Sequence, residues 1–147
     1  YAHVQRTEPQ TLAVGLSDSP AGLAAWMAQR FRDWSPPAPD ILDSRRLDHI
    51  LANFTLYWLT GTTASSCRLY RDMRSAPLRF GPGDRIQVPT AVALFPHELP
   101  MPPRSWVERG FALRRWTEMP RGGHFAALDE PELMAQDLRG FFRPLRA

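Results

Sequence analysis

The chain has 147 residues, 44% hydrophobic and 22% charged, with 18 basic and 15 acidic side chains and a formal net charge of +3. That length supports one domain with a real core, burying roughly 68–70% of its unfolded surface; the composition is that of an ordinary globular protein. The single cysteine, Cys67, excludes an internal disulfide and a cysteine-rich zinc site, no apolar run reaches the ~18 residues of a bilayer span, and the dispersed arginines form no basic stripe for nucleic acid. No signal peptide opens the chain, so a cytoplasmic location is expected, with any membrane anchor confined to upstream segments. The start at Tyr1, without a methionine, reads as a fragment or a processed piece. Fifteen prolines imply many fixed turns between short elements.

Ser17-Asp18-Ser19-Pro20 is a helix start, with cap oxygens (Asp18 among them) and a proline at the first helical position. The helix that follows, Ala21 to Trp34, places Leu23, Trp26, Met27, Phe31 and Trp34 at helical spacing. Residues 34–40 form a proline-rich loop. A second helix is expected from Asp43 or Ser44 to about Leu59, with Leu47, Ile50, Leu51, Phe54 and Trp58 on one face; Gly61 ends it. A shorter helix runs from about Ala64 to Met73 and carries Tyr70.

The pattern changes at Gly81-Pro82-Gly83-Asp84. Ile86 to Phe95 is a nearly continuous apolar run rich in branched residues, read as a strand buried on both faces of a parallel sheet. Ser105 to about Leu113 reads as a helix, Ala112 to about Met119 as a second strand. Glu130-Pro131-Glu132 opens a last helix with Leu133, Met134, Leu138, Phe141 and Phe142 on one side. This strand–helix–strand–helix order indicates a wound α/β sheet. Two strands do not make a stable sheet alone, so further strands are expected from elsewhere.

Ligands of such sheets gather outside the carboxyl ends of the strands. Glu98 follows the first strand and His124 the second, behind Gly122-Gly123, whose glycines allow a sharp positive-φ turn that lifts the imidazole. A histidine suits general-base work near neutral pH, and a carboxylate beside it fixes its tautomer. No Gly-x-Ser/Asp/Cys-x-Gly nucleophile elbow occurs in these residues. A base and its orienting acid are thus expected without their nucleophile.

Several motifs together resemble one family. Phe95-Pro96-His97-Glu98, Arg121-Gly122-Gly123-His124-Phe125-Ala126-Ala127 and Glu130-Pro131-Glu132-Leu133 look like the C-terminal part of microsomal-type epoxide hydrolases of the α/β-hydrolase fold. Upstream, Tyr1-x-His3-x-Gln5, Pro9-Gln10-Thr11 and Ser17 to Ala25 are similar to the family's lid, as are Asn53-x-Thr55 to Thr62 and Ser65-Ser66-x-Arg68-x-Tyr70. The resemblance implies a helical lid over residues 1–77 and the C-terminal part of the core over 83–147. It also implies the chemistry. An aspartate opens the epoxide and forms a glycol ester, and a histidine oriented by an acid activates water to hydrolyse it. Two lid tyrosines serve the epoxide oxygen. Carried over by position, the base is His124, the acid Glu98, and the tyrosines Tyr70 and Tyr1. The aspartate has no match here, so the chain alone is expected to be inactive without its missing N-terminal half. The substrate implied is a small epoxide, with no cofactor and no metal.

Trp26 and Trp58, on lid helices, are candidates to line a substrate channel; Trp106 and Trp116 read as core. His97 reads as a specificity or surface residue, His3 and His49 as structural, Cys67 as buried. Two other readings stay open. A haloalkane dehalogenase also uses aspartate, histidine and an acid, with tryptophan donors in place of the tyrosines. A non-catalytic piece would instead bind a partner, or a second copy of itself, through an unpaired strand edge.

Overall fold

The computed structural model describes residues 1–37, 44–77 and 79–146; the expected loop beyond residue 37 and a helix start at Asp43 lie outside them. The chain divides into two compact units, Tyr1–Asp33 with Asp40–Arg79, and Trp34–Pro39 with Phe80–Ala147.

The first unit is helical. α1 (Ala2–Thr7) and α2 (Pro9–Asp18), both upstream of the first helix expected, are separated at Glu8. A residue before proline is pushed out of the α region, and the proline then starts the next helix. Glu8 accordingly has φ −127° and ψ 52°. α3 (Pro20–Trp34) follows. Its cap is Ser19, whose Oγ accepts the Gly22 N–H at 3.0 Å. Asp18, expected to be the cap, is instead the last residue of α2, because proline at the first helical position makes the residue before it the N-cap.

α4 (Ser44–Leu59) and α5 (Thr63–Ser75) complete the unit. Its core is Ala13, Leu16, Leu23 and Cys67, with Trp26, Met27, Tyr57 and Trp58 packed against it. Cys67 is 2% exposed, as a small buried thiol should be. Ile50 and Phe54 are buried, and the Phe54 ring meets Phe31 at 6.0 Å. Leu51, expected on that face, is exposed. Leu51 lies about 100° around the helix from Ile50, at the edge of the apolar stripe, and the packed face does not extend to it.

The second unit holds β1 (Ile86–Leu94) and β2 (Phe111–Glu118), joined by α6 (Arg104–Gly110), then α7 (Ala126–Asp129), α8 (Pro131–Phe142) and a 3-10 turn (Arg143–Leu145). The strands pair in parallel, with Leu94 opposite Glu118 and register shifts near Pro89 and between Thr90 and Ala91. Pro89 has no N–H to donate, which disturbs the ladder there. β1 is not buried on both faces as expected: Gln87 to Pro89 are exposed, and Thr90 to Leu94 are half-buried. Among the described residues each strand pairs only with the other, which leaves one edge of each uncovered.

α8 also departs from expectation. Leu138 and Phe142 are exposed, and its buried residue is Asp137, 6% exposed. One Asp137 oxygen accepts from Arg115 Nε and from Thr117 Oγ1, each at 2.7 Å. That pairing offsets the cost of burying a carboxylate and ties α8 to β2. Trp106, expected in the core, is 65% exposed, with the Arg109 guanidinium 6.0 Å from its ring.

Candidate active site

The two strand ends of the second unit converge. After Leu94, Phe95 is buried and Pro96 starts a turn closed by the Glu98 N–H donating to the Phe95 carbonyl at 3.1 Å; proline pre-sets the second position of such turns. The pairing of the strands continues past their ends. The Met119 N–H donates to the Leu94 carbonyl at 2.8 Å, the His97 N–H to the Gly122 carbonyl at 3.1 Å, and His97 and Gly123 form a parallel bridge.

Gly122 and Gly123 serve different needs. Gly122 has φ +107°, and a Cβ there would stand 2.6 Å from Phe95 Cδ1. Gly123 has no positive φ, contrary to the expectation that both glycines supply one. It is required by close approach, since a Cβ would lie 2.7 Å from the Trp34 carbonyl oxygen.

This turn brings His124 to Glu98. Nδ1 lies 2.9 Å from Glu98 Oε1 and 3.0 Å from Oε2. The Leu99 N–H donates to Oε1 at 2.7 Å, fixing the carboxylate from its own turn. With the carboxylate accepting from Nδ1–H, Nε2 is the nitrogen left for base chemistry. The side chains are 43% and 31% exposed respectively, so water reaches both. The Trp34 ring meets the imidazole at 4.9 Å, edge-on. Nearby, Arg121 Nε pairs with Glu130 Oε1 at 2.6 Å. His97 is exposed beside the pair.

In the helical unit the other two candidates meet. The Tyr1 and Tyr70 rings are edge-to-face, with centroids 5.6 Å apart. Burial first, then a hydrogen bond with the Tyr1 side chain, raise the Tyr70 phenol above its ordinary value; Arg6 acts in the opposite sense. Tyr1 is held by its carbonyl, which accepts the Gln5 N–H at 3.0 Å. The Arg30 guanidinium stands over the Tyr1 ring at 5.2 Å and over Trp26 at 5.3 Å. Trp26 and Trp58 both pack on the α2–α3–α5 core. An open, mostly apolar groove of about 570 Å³ between α4 and α5 is lined by Leu56, Tyr57, Thr60, Thr62, Ser65 and Leu69, among others, and Trp58 is not among its lining residues. His3 and His49 are exposed, and Trp116 is half-buried on β2.

Among the described residues no cluster of three or more His, Cys, Asp or Glu could hold a metal ion, and no helix is long and apolar enough to cross a membrane. Sequence reasoning missed Trp34 as a neighbour of His124. Its only signal was an apolar residue at the end of a helix, indistinguishable from core.

Several known proteins are similar to this chain as a whole. No family model matches the chain. Epoxide hydrolase 1 of Sus scrofa is 39% identical over 150 residues, spanning 96% of this chain and 33% of that protein. The structure of an enantioselective mutant of the Aspergillus niger epoxide hydrolase superposes with a TM-score of 0.79 at 32% identity, covering 98% of this chain and 36% of that one. The juvenile hormone epoxide hydrolase of Bombyx mori gives 0.78 at 33% identity, covering 100% and 40%. The chain thus spans about a third of the length of the curated relatives it matches.

Proposed function

The chain belongs to the epoxide hydrolases of the α/β-hydrolase fold and matches their C-terminal part, and from that premise we propose that it carries the water-activating half of an epoxide hydrolase. The observation that supports this most strongly is the Nδ1 of His124 facing both oxygens of Glu98 beyond the ends of two parallel strands.

In this reading a carboxylate nucleophile, borne on sequence outside these residues, attacks one epoxide carbon. The carbon–oxygen bond breaks, the alkoxide takes a proton relayed from solvent through the lid tyrosines, and a glycol ester forms. His124 Nε2 then takes a proton from water, and the resulting hydroxide attacks the ester carbonyl. Diol leaves, the nucleophile returns to a carboxylate, and the proton on His124 passes back to solvent. Glu98 holds the ring in the Nδ1–H tautomer and stabilises the transient imidazolium.

Tyr1 and Tyr70 are assigned to the leaving oxygen. A strained ether departs as alkoxide unless donors meet its charge, and phenolic O–H groups supply them while staying neutral at working pH. The raised ionisation of Tyr70 supports that assignment, since the proton stays on the oxygen that must donate it. The substrate class is a small epoxide. The residues present include no nucleophile elbow, so the 147-residue chain is proposed to be inactive by itself.

The test is a graft in which these residues replace the matching third of the Aspergillus niger enzyme. A folded graft that hydrolyses an aromatic epoxide, and loses the activity on His124→Gln, supports the proposal; retained activity in that variant overturns it.

A further inference from the structure

We propose that Trp34 is a positioning residue for His124, holding the imidazole in the orientation that pairs Nδ1 with Glu98; the proposal rests on the reading of His124 as the base. Trp34 is the last residue of α3 and lies in the same compact unit as His124, although 90 positions of sequence separate them.

Three contacts converge on this residue. Its carbonyl oxygen accepts the His124 N–H at 3.1 Å. The same oxygen occupies the space a side chain at Gly123 would need, 2.7 Å from a Cβ there, with Pro36 Cδ at 3.2 Å. The strap formed by Trp34, Ser35 and Pro36 therefore sets where the Gly-Gly-His turn lies. The third contact is made by the side chain: the indole meets the imidazole at 4.9 Å and 69°. Phe125 closes another side, its ring 5.0 Å from the imidazole at 87° and near-parallel to the indole at 6.2 Å.

The side-chain contact is the one that orients. A histidine ring turns about χ2 through a broad, roughly two-fold well, and His124 is 43% exposed. Backbone hydrogen bonds place its Cα but leave that rotation open. Water competes for the ring nitrogens, and a ring turned by half a rotation about χ2 would set Cδ2–H against the carboxylate in place of Nδ1. An indole edge on one side and Phe125 on another restrict the rotation. The carbonyl is present whatever side chain residue 34 carries, so substitutions at Trp34 isolate the ring's contribution from the strap's.

The experiment uses the 147-residue chain and needs no substrate. Histidine ring ¹⁵N shifts, read above the titration of the imidazoles, report which nitrogen carries the proton. The His124 signals are assigned by their loss in His124→Gln, and exposed His97 is the internal reference. The wild-type His124 is expected mainly as the Nδ1–H form. Trp34→Ala and Trp34→Leu are expected to shift it toward the Nε2–H form favoured by an unrestrained ring, with His97 unmoved, and Trp34→Phe to restore most of the wild-type population. A folded Ala or Leu variant with the wild-type tautomer overturns the proposal. So does unfolding of both by far-ultraviolet circular dichroism, which would make Trp34 a support of the fold alone. A wild-type chain without the Nδ1–H preference, unchanged by Glu98→Ala, instead removes the paired base on which the proposal rests.

Discussion

His124 Nδ1 stands 2.9 and 3.0 Å from the two oxygens of Glu98, residues 26 positions apart that meet because parallel strands end side by side. The Leu99 N–H holds one of those oxygens at 2.7 Å. A carboxylate so placed favours one tautomer of the ring and stabilises its charged form. In the graft, Glu98→Gln is expected to slow hydrolysis of the ester more than its formation, by roughly 10²-fold or more, within the range of general-base contributions. Rapid-quench measurement of the two steps checks this; equal slowing of both would contradict the role of Glu98.

Tyr70 carries a second expectation. Its folded-state phenol is raised by burial and by Tyr1. Its protonated form is therefore the one folding favours. Whatever stability this contributes is present below the ordinary tyrosine value of about 10 and fades as pH rises through the raised one. Ultraviolet difference titration of wild type against Tyr70→Phe should show the missing phenol ionising above that ordinary value; ionisation at or below it contradicts the burial argument. In the graft, Tyr70→Phe is expected to slow epoxide opening by an amount equivalent to about 2.7–4 kcal/mol, by analogy with a lost oxyanion donor. Full activity in that variant would favour a dehalogenase-like site.

The glycines predict unequal costs. Gly61 has φ +63° with open space around it, whereas Gly122 combines φ +107° with Phe95 2.6 Å from a would-be Cβ. Gly61→Ala should cost about 1–2 kcal/mol, the penalty of left-handed backbone. Gly122→Ala should cost more, because Phe95 or the turn must also move. Urea unfolding midpoints compare the two; equal losses would show that the turn relaxes freely.

Asp137 anchors α8 to β2 through Arg115 and Thr117. Asp137→Ala should destabilise the chain by roughly 1.5–3 kcal/mol, the range for hydrogen bonds to a charged group. Thr117→Val should cost less, near 1 kcal/mol. Chemical denaturation of both variants checks the order, and a neutral Asp137→Ala would show that the pair only balances its own desolvation.

Local chemistry made the site legible. Pro96 after an apolar run marks where β1 stops, and Gly-Gly before His124 marks a turn that only glycine fills. Those signals act within a few residues, so the sequence alone puts Glu98 and His124 at neighbouring strand ends. Trp34 and Asp137 were not legible because their meaning comes from partners far away in sequence. Trp34 looks like a core residue at a helix end until the His124 amide is found on its carbonyl. Asp137 reads as solvated until Arg115 and Thr117 reach it. Helical periodicity likewise assigned Leu51, Leu138 and Phe142 to packed faces that are narrower than the apolar stripe. α1 and α2 escaped notice because neither shows a side-chain cap.

The most direct measurement is intact-protein mass spectrometry of the graft mixed with an aromatic epoxide. If His124 activates water on an ester formed elsewhere, His124→Gln should accumulate protein heavier by the mass of one epoxide, while unsubstituted graft shows mainly free protein and diol. A folded His124→Gln graft that turns over epoxide at the unsubstituted rate, with no adduct, would contradict the account.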